Sequence, residues 1–163
     1  MELMTGDFFP ELPIFKGMSE AQLDLLRPLF TPIDCHAGTV IFEQGEPAIY
    51  IYLIASGEVS IHFKPEDGQV IFIARLREGS LVGWSAVIGR RFYTSAAICT
   101  QYSQLLRVRE ADLQALCEKH PETGVLILER LADAIAERLE STHPQVMALL
   151  ENGLRASILH GGD

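Results

Sequence analysis

Basic residues are scarce in this chain. Its 163 residues hold 13 Lys and Arg against 22 Asp and Glu, a formal net charge of −9. That balance argues against a nucleic-acid surface, which needs clustered Lys and Arg, and against docking on anionic lipid. Cysteine is sparse too. Cys35, Cys99 and Cys117 are odd in number, far apart and without CxxC spacing, so no disulfide framework is expected and a reducing cytoplasm fits. Each reads as a small buried hydrophobe. No run reaches the roughly 18 apolar residues of a membrane span. Met1 to Pro10 has neither a basic start nor a long apolar run, so no signal peptide is expected. His36, His62, His120, His143 and His160 are scattered, without the one-residue spacing of a barrel metal site. There is no Gly-x-Ser-x-Gly elbow and no phosphate-binding P-loop. These absences predict a protein that is not an enzyme and holds no metal and no resident cofactor.

What is present reads as one globular domain. Hydrophobic residues make up 48% and charged residues 21% of the chain, enough to bury a core without staples. After a lead-in over residues 1–11, Ser19 and Gln22 form a capping box. Leu23, Leu26 and Phe30 follow at helical spacing, and Pro28 kinks or ends the helix, predicted from about Ser19 to Arg27. From Thr31 the period drops to two. Short apolar runs are broken by Gly38, Gly45 and Gly57, Val59, Ile61 and Phe63 alternate with polar residues, and Asp67-Gly68 marks a hairpin. About eight short strands are expected, as an antiparallel β jelly roll or double-stranded β-helix barrel, with an N-terminal helix and C-terminal helices.

After Arg109 the helical period returns. Glu110 to Lys119 is one helix, and Pro121 suits the first position of a second that runs to about Ser141. Leu128, Leu131, Ala132, Ile135 and Leu139 form its stripe. Val125, Leu126 and Ile127 add more apolar surface than one face needs, surface that either packs on its own domain or meets its own copy in a homodimer. Glu129, Asp133 and Glu137 read as a solvated face. Residues 142–163 are a short helical tail, disordered toward Gly161-Gly162-Asp163.

The stretch Leu81 to Ala97 stands apart. It opens on Gly83, continues as one apolar helical turn and closes on small residues, a pattern suited to a loop that approaches a ligand closely. Backbone N–H groups at the start of such a turn would make an anion cradle.

Residues 38–59 carry Gly38, Gly45-Glu46, Tyr52-Leu53-Ile54 and Ser56-Gly57-x-Val59. In that spacing the chain resembles the cyclic-nucleotide-binding domain family, catabolite-activator-like, over about residues 12–141. The resemblance implies a phosphate-binding cassette, in which a Gly-Glu pair opens a short helix, the glutamate takes the ribose 2′-hydroxyl, and a later arginine pairs with the cyclic phosphate. Here Trp84 stands where the glutamate would be, and Tyr93 or Thr94 where the arginine would be. Each lost charge-assisted hydrogen bond costs about 1.5–3 kcal/mol. Together the two losses predict cAMP and cGMP affinity weaker by roughly two to four orders of magnitude.

The candidate pocket is therefore Gly83, Trp84, Ser85, Ala86, Arg91, Thr94 and Ser95, open to a nucleotide-like or other small ligand. Arg91, next to Arg90, either swings toward a phosphate or stays solvated. Trp84 either fills the pocket or offers a flat face to an aromatic ligand. In the bacterial relatives a DNA-binding helix-turn-helix follows the long helix, and the residues after Ser141 are too few for one. Two readings follow: a regulatory sensor acting through dimerisation or a protein partner, and a ligand-free interaction module.

Overall fold

A computed structural model describes residues 11–139 and 150–151. The elements run α1 (Glu20–Leu26), β1 (Thr31–Cys35), β2 (Val40–Phe42), β3 (Tyr50–Ser56), β4 (Glu58–Phe63), β5 (Ile71–Arg77), β6 (Leu81–Val82), β7 (Ala96–Cys99), β8 (Ser103–Arg109), α2 (Glu110–Lys119) and α3 (Pro121–Leu139). The capping box is formed: the Ser19 hydroxyl accepts from the Gln22 N–H at 3.2 Å, and the Ser19 N–H donates to Gln22 Oε1 at 2.9 Å. Pro28 sits inside a 3-10 turn, Arg27–Leu29, that continues the chain's helical course beyond α1.

All strand pairings are antiparallel, in two four-stranded sheets of order β1-β8-β3-β6 and β2-β7-β4-β5. Among the described residues no ladder joins the sheets, so the jelly-roll expectation holds and the closed barrel does not. Three of the four edges are blunted by shortness or by proline: β6 has two residues, β2 has three, and β1 carries Pro32, whereas the fourth, β5, is seven residues long and interrupted by a bulge. The Asp67-Gly68 turn lies at the tip of a longer loop, because the β4–β5 ladder begins at Phe63 opposite Ile71.

Side-chain alternation along β3 builds two cores. Ile51, Leu53 and Ala55 face the helices, where they meet Phe15, Leu26, Leu113, Ile127, Leu131 and Ile135. Tyr52 and Ile54 face the second sheet, among Cys35, Phe42, Val59, Ala97, Cys99 and Leu105. Where β3 turns into β4, Gly57 has φ of +104°, and a Cβ there would lie 2.6 Å from Ser103 Cα. Only glycine fits that crossing.

On α3 the expected stripe is buried at Leu128, Leu131, Ala132 and Ile135, together with Ile127. The side chain of Leu139, the helix end at Ser141 and most of the 142–163 tail lie outside the described residues. Val125 is 49% exposed and Leu126 half-buried.

Candidate functional site

The connection between β6 and β7 occupies residues 83–95, and its course is fixed by backbone geometry. Leu81 and Val82, the start of the stretch singled out in the sequence, pair with β3 as Leu53↔Leu81 and Tyr52↔Val82. Gly83 then leaves the sheet in the left-handed region, φ +79°. A Cβ on it would meet the Phe42 ring at 3.0 Å, the Tyr93 ring at 3.1 Å and the Tyr50 carbonyl oxygen at 3.2 Å. Its missing side chain thus serves packing as well as conformation. Trp84–Ala86 form a single 3-10 turn.

The return limb runs antiparallel to residues 45–48. The Gly45 N–H donates to the Tyr93 carbonyl, the Tyr93 N–H to the Glu46 carbonyl and the Ala48 N–H to the Arg91 carbonyl, each at 2.9 Å. On this limb Tyr93 is buried, while Arg91 and Phe92 are exposed. The buried Tyr93 ring stacks on Phe42, with centroids 3.7 Å apart and planes 13° apart. Its hydroxyl donates to the Tyr50 carbonyl at 2.6 Å and accepts from the Tyr50 N–H at 3.2 Å. Burial raises its pKa well above the ordinary phenol range, against a smaller opposing effect of the Tyr50 carbonyl bond.

Between this connection and the strands lies a cavity of about 660 Å³, within the size range of small-ligand sites. Gly83, Trp84, Ser85, Thr94 and Ser95, all candidates named from the sequence, line it. Two expected residues do not. Ala86 turns into the core between the sheets, where it is 2% exposed, and its N–H is engaged by the Gly83 carbonyl at 3.3 Å. Arg91 is exposed and does not line the cavity, and its carbonyl accepts from the Ala48 N–H. Arg90 takes its place on the cavity wall, with its backbone N–H donating to the Ser85 carbonyl at 3.1 Å. The anion cradle of backbone N–H groups is thereby reduced.

The remaining walls are apolar and, Ile88 of the connection apart, come from strands. Phe42 lies on β2, Ile61 on β4, Ile73 and Leu76 on β5. Ile73 owes its direction to a β-bulge. Ile61 pairs with Ala74 and His62 with Phe72, so Ile73 is the extra residue, and a bulge re-aims the side chain it carries. The sequence signal was the unbroken apolar run Val70-Ile71-Phe72-Ile73, twice what a one-faced strand needs.

Trp84 packs partly on the helix-facing core, and it also lines a second cleft of about 480 Å³ bounded by Pro13, Glu78, Ala134 and Ile135. The indole, with Leu76 and Leu81, therefore lies between the cavity and the cleft beside α3. Among the described residues no group of three or more His, Cys, Asp or Glu is placed to hold a metal ion, and no described helix is long and apolar enough to cross a membrane.

A family model described as the cyclic nucleotide-binding domain matches residues 32–120. The chain is 29% identical over 78% of its length to the cyclic AMP receptor protein of Thermus thermophilus, and 30% identical over 70% of its length to a global nitrogen regulator of Synechocystis. It spans 57% and 51% of the lengths of those two relatives. The crystal structure of the Thermus thermophilus catabolite activator protein superposes with a TM-score of 0.66 at 29% identity, covering 78% of this chain and 58% of that one. A cyclic nucleotide-binding domain from Methylobacillus flagellatus shares the fold, with a TM-score of 0.72 at 18% identity over 80% of this chain and 73% of that one.

Proposed function

The chain belongs to the cyclic nucleotide-binding domain family, and from that premise we propose that it is a non-enzymatic regulatory module that senses a small ligand in the β6–β7 cavity. The observation that carries this reading is the position of Trp84. A ligand in the cavity touches the indole, and the indole also lines the cleft walled by Ala134 and Ile135 of α3. Val87, in the same connection, is fully buried in the helix-facing core, while Ala86 is buried between the sheets. A ligand that binds one arrangement of this connection better than another shifts the helix with it.

Cyclic AMP and cyclic GMP are poor ligands in this proposal, because Trp84 and Thr94 or Tyr93 occupy the positions of the two charged grips and Tyr93 has its hydroxyl committed to Tyr50. Output passes through α3. Val125, 49% exposed beside the half-buried Leu126, supplies apolar surface for a homodimer or a protein partner. Three free cysteines suit a reducing, cytoplasmic setting.

Thermal denaturation against cyclic nucleotides and a broad panel of small metabolites tests the sensor. A ligand at about 100 Kd adds about 2.7 kcal/mol and raises the midpoint by several degrees. No shift with any member of the panel would leave the second reading, a ligand-free interaction module, which the partial packing of Trp84 on the helix-facing core favours. Gel filtration at tens of micromolar tests the pairing separately, and a monomer there refutes the helix-mediated homodimer.

A further inference from the structure

The cavity distributes its polarity unevenly. Every polar side chain that faces it without a prior commitment comes from one connection: Ser85, Arg90, Thr94 and Ser95. The strands opposite contribute Phe42, Ile61, Ile73 and Leu76, and the Tyr93 hydroxyl is already taken by the Tyr50 backbone. Among the described residues Arg90 is the sole charged lining group, and none of the lining residues is acidic.

A nucleotide brings a ribose, a phosphate and a base rim of donors and acceptors. Desolvating these against hydrocarbon walls without partners is costly. The complementary occupant has one anionic end for Arg90 and its neighbouring hydroxyls, and an apolar body for the strand walls. A guanidinium matches the flat, two-oxygen geometry of a carboxylate. The bulge that turns Ile73 toward the cavity leaves that side chain 49% exposed, an apolar wall awaiting cover.

On these grounds we infer that the cavity takes a small apolar monocarboxylic acid, an aromatic or medium-chain acid held by Arg90 at its carboxylate and by the β4–β5 wall at its body. The inference rests on the ligand-sensing reading of the same cavity and names the ligand class.

Trp84 is the chain's single tryptophan and lines the cavity, so its emission reports occupancy directly. The full chain is titrated with octanoate and with phenylacetate, each compared with its neutral counterpart, octan-1-ol and phenylacetamide, and with cAMP. At least one of the two acids is expected to give a saturable change that its neutral counterpart matches only at a tenfold or higher concentration. Arg90→Gln, at an exposed position where folding is not at stake, weakens binding of that acid by about tenfold or more and leaves the neutral counterpart unaffected. Ile73→Asp abolishes the response to both acids. No saturable change with either acid at about 1 mM, or equal binding of acid and neutral compound, overturns the inference. A response to cAMP without one to the acids overturns it while leaving the sensor intact, and silence with every compound here and across the metabolite panel overturns both.

Discussion

The two cores of this molecule share a strand and differ in almost everything else. On the helix side of β3, large side chains such as Phe15, Leu26, Ile127, Leu131 and Ile135 are 0–2% exposed. Phe15 and Phe30 meet edge to face with centroids 5.1 Å apart. On the other side, between the sheets, small residues recur (Cys35, Ala48, Ala86, Ala97, Cys99), and two of the large ones, Tyr52 and Tyr93, carry hydroxyls. The helix-facing core is filled by bulk. The inter-sheet core is held by backbone ladders and by Tyr93, and it stays open at one end as the cavity. Packing is thus tightest in the interior of the helix-facing core, while the larger cavity opens at the end of the inter-sheet core.

The largest expected effect breaks the tightly packed side. Leu131→Ala removes a side chain with no room to collapse around it and costs about 4 kcal/mol of unfolding free energy, read by urea titration. Leu76→Ala makes the same chemical change on the cavity wall, where the loss is mainly that of transfer, and costs about 2 kcal/mol. Equal losses at the two sites would erase the distinction between the cores. Tyr93→Phe keeps the stack on Phe42 but removes the bridge to Tyr50, and costs about 1 kcal/mol in the same titration. Ile73→Ser, half-exposed on the bulge, changes stability by no more than about 0.5 kcal/mol while removing ligand-dependent change in Trp84 emission.

A further effect needs no ligand, only alkali. Burial raises Cys35, Cys99, Tyr52 and Tyr93 in the inter-sheet core, and Cys35 is pushed up from 9.0 to about 11, first by burial and then by Cys99. Between those two pH values the unfolded chain has released the Cys35 proton and the folded chain still holds it. The contribution is therefore complete below about pH 9 and is lost as pH rises toward 11. Equilibrium unfolding over that window is expected to lose part of its pH slope in Cys35→Ala, and an unchanged slope would remove Cys35 from the account.

Much of this was legible in the sequence for reasons that are local. Ser19 and Gln22 announce a helix start because both halves of the capping box lie within three residues. The glycines between strands announce turns because a positive φ is a property of one residue. The helix periods of α2 and α3 were readable because each buries one stripe. The apolar walls of the cavity were not legible, since Phe42, Ile61 and Ile73 meet only through sheet order and a one-residue bulge, neither of which is written in any single strand. The exchange of Arg91 for Arg90 escaped for the same reason: Arg90 is held beside Ser85 by the turn that closes the connection, whereas Arg91 lies on the limb bonded to Ala48, and neither contact is local in the sequence. The closed barrel failed because closure depends on edge strands as short as the two residues of β6.

The Tyr93 phenol gives and receives one hydrogen bond with the peptide of Tyr50, on the side of β3 where β6 has already ended. It does for that peptide what a neighbouring strand would do, with a ring in place of a backbone. The Tyr50 amide is consequently a gauge of the cassette rather than of the sheet. Its hydrogen exchange slows only while residue 93 is seated, so any movement of the connection is written into the isotope uptake of a residue more than forty positions away in the chain.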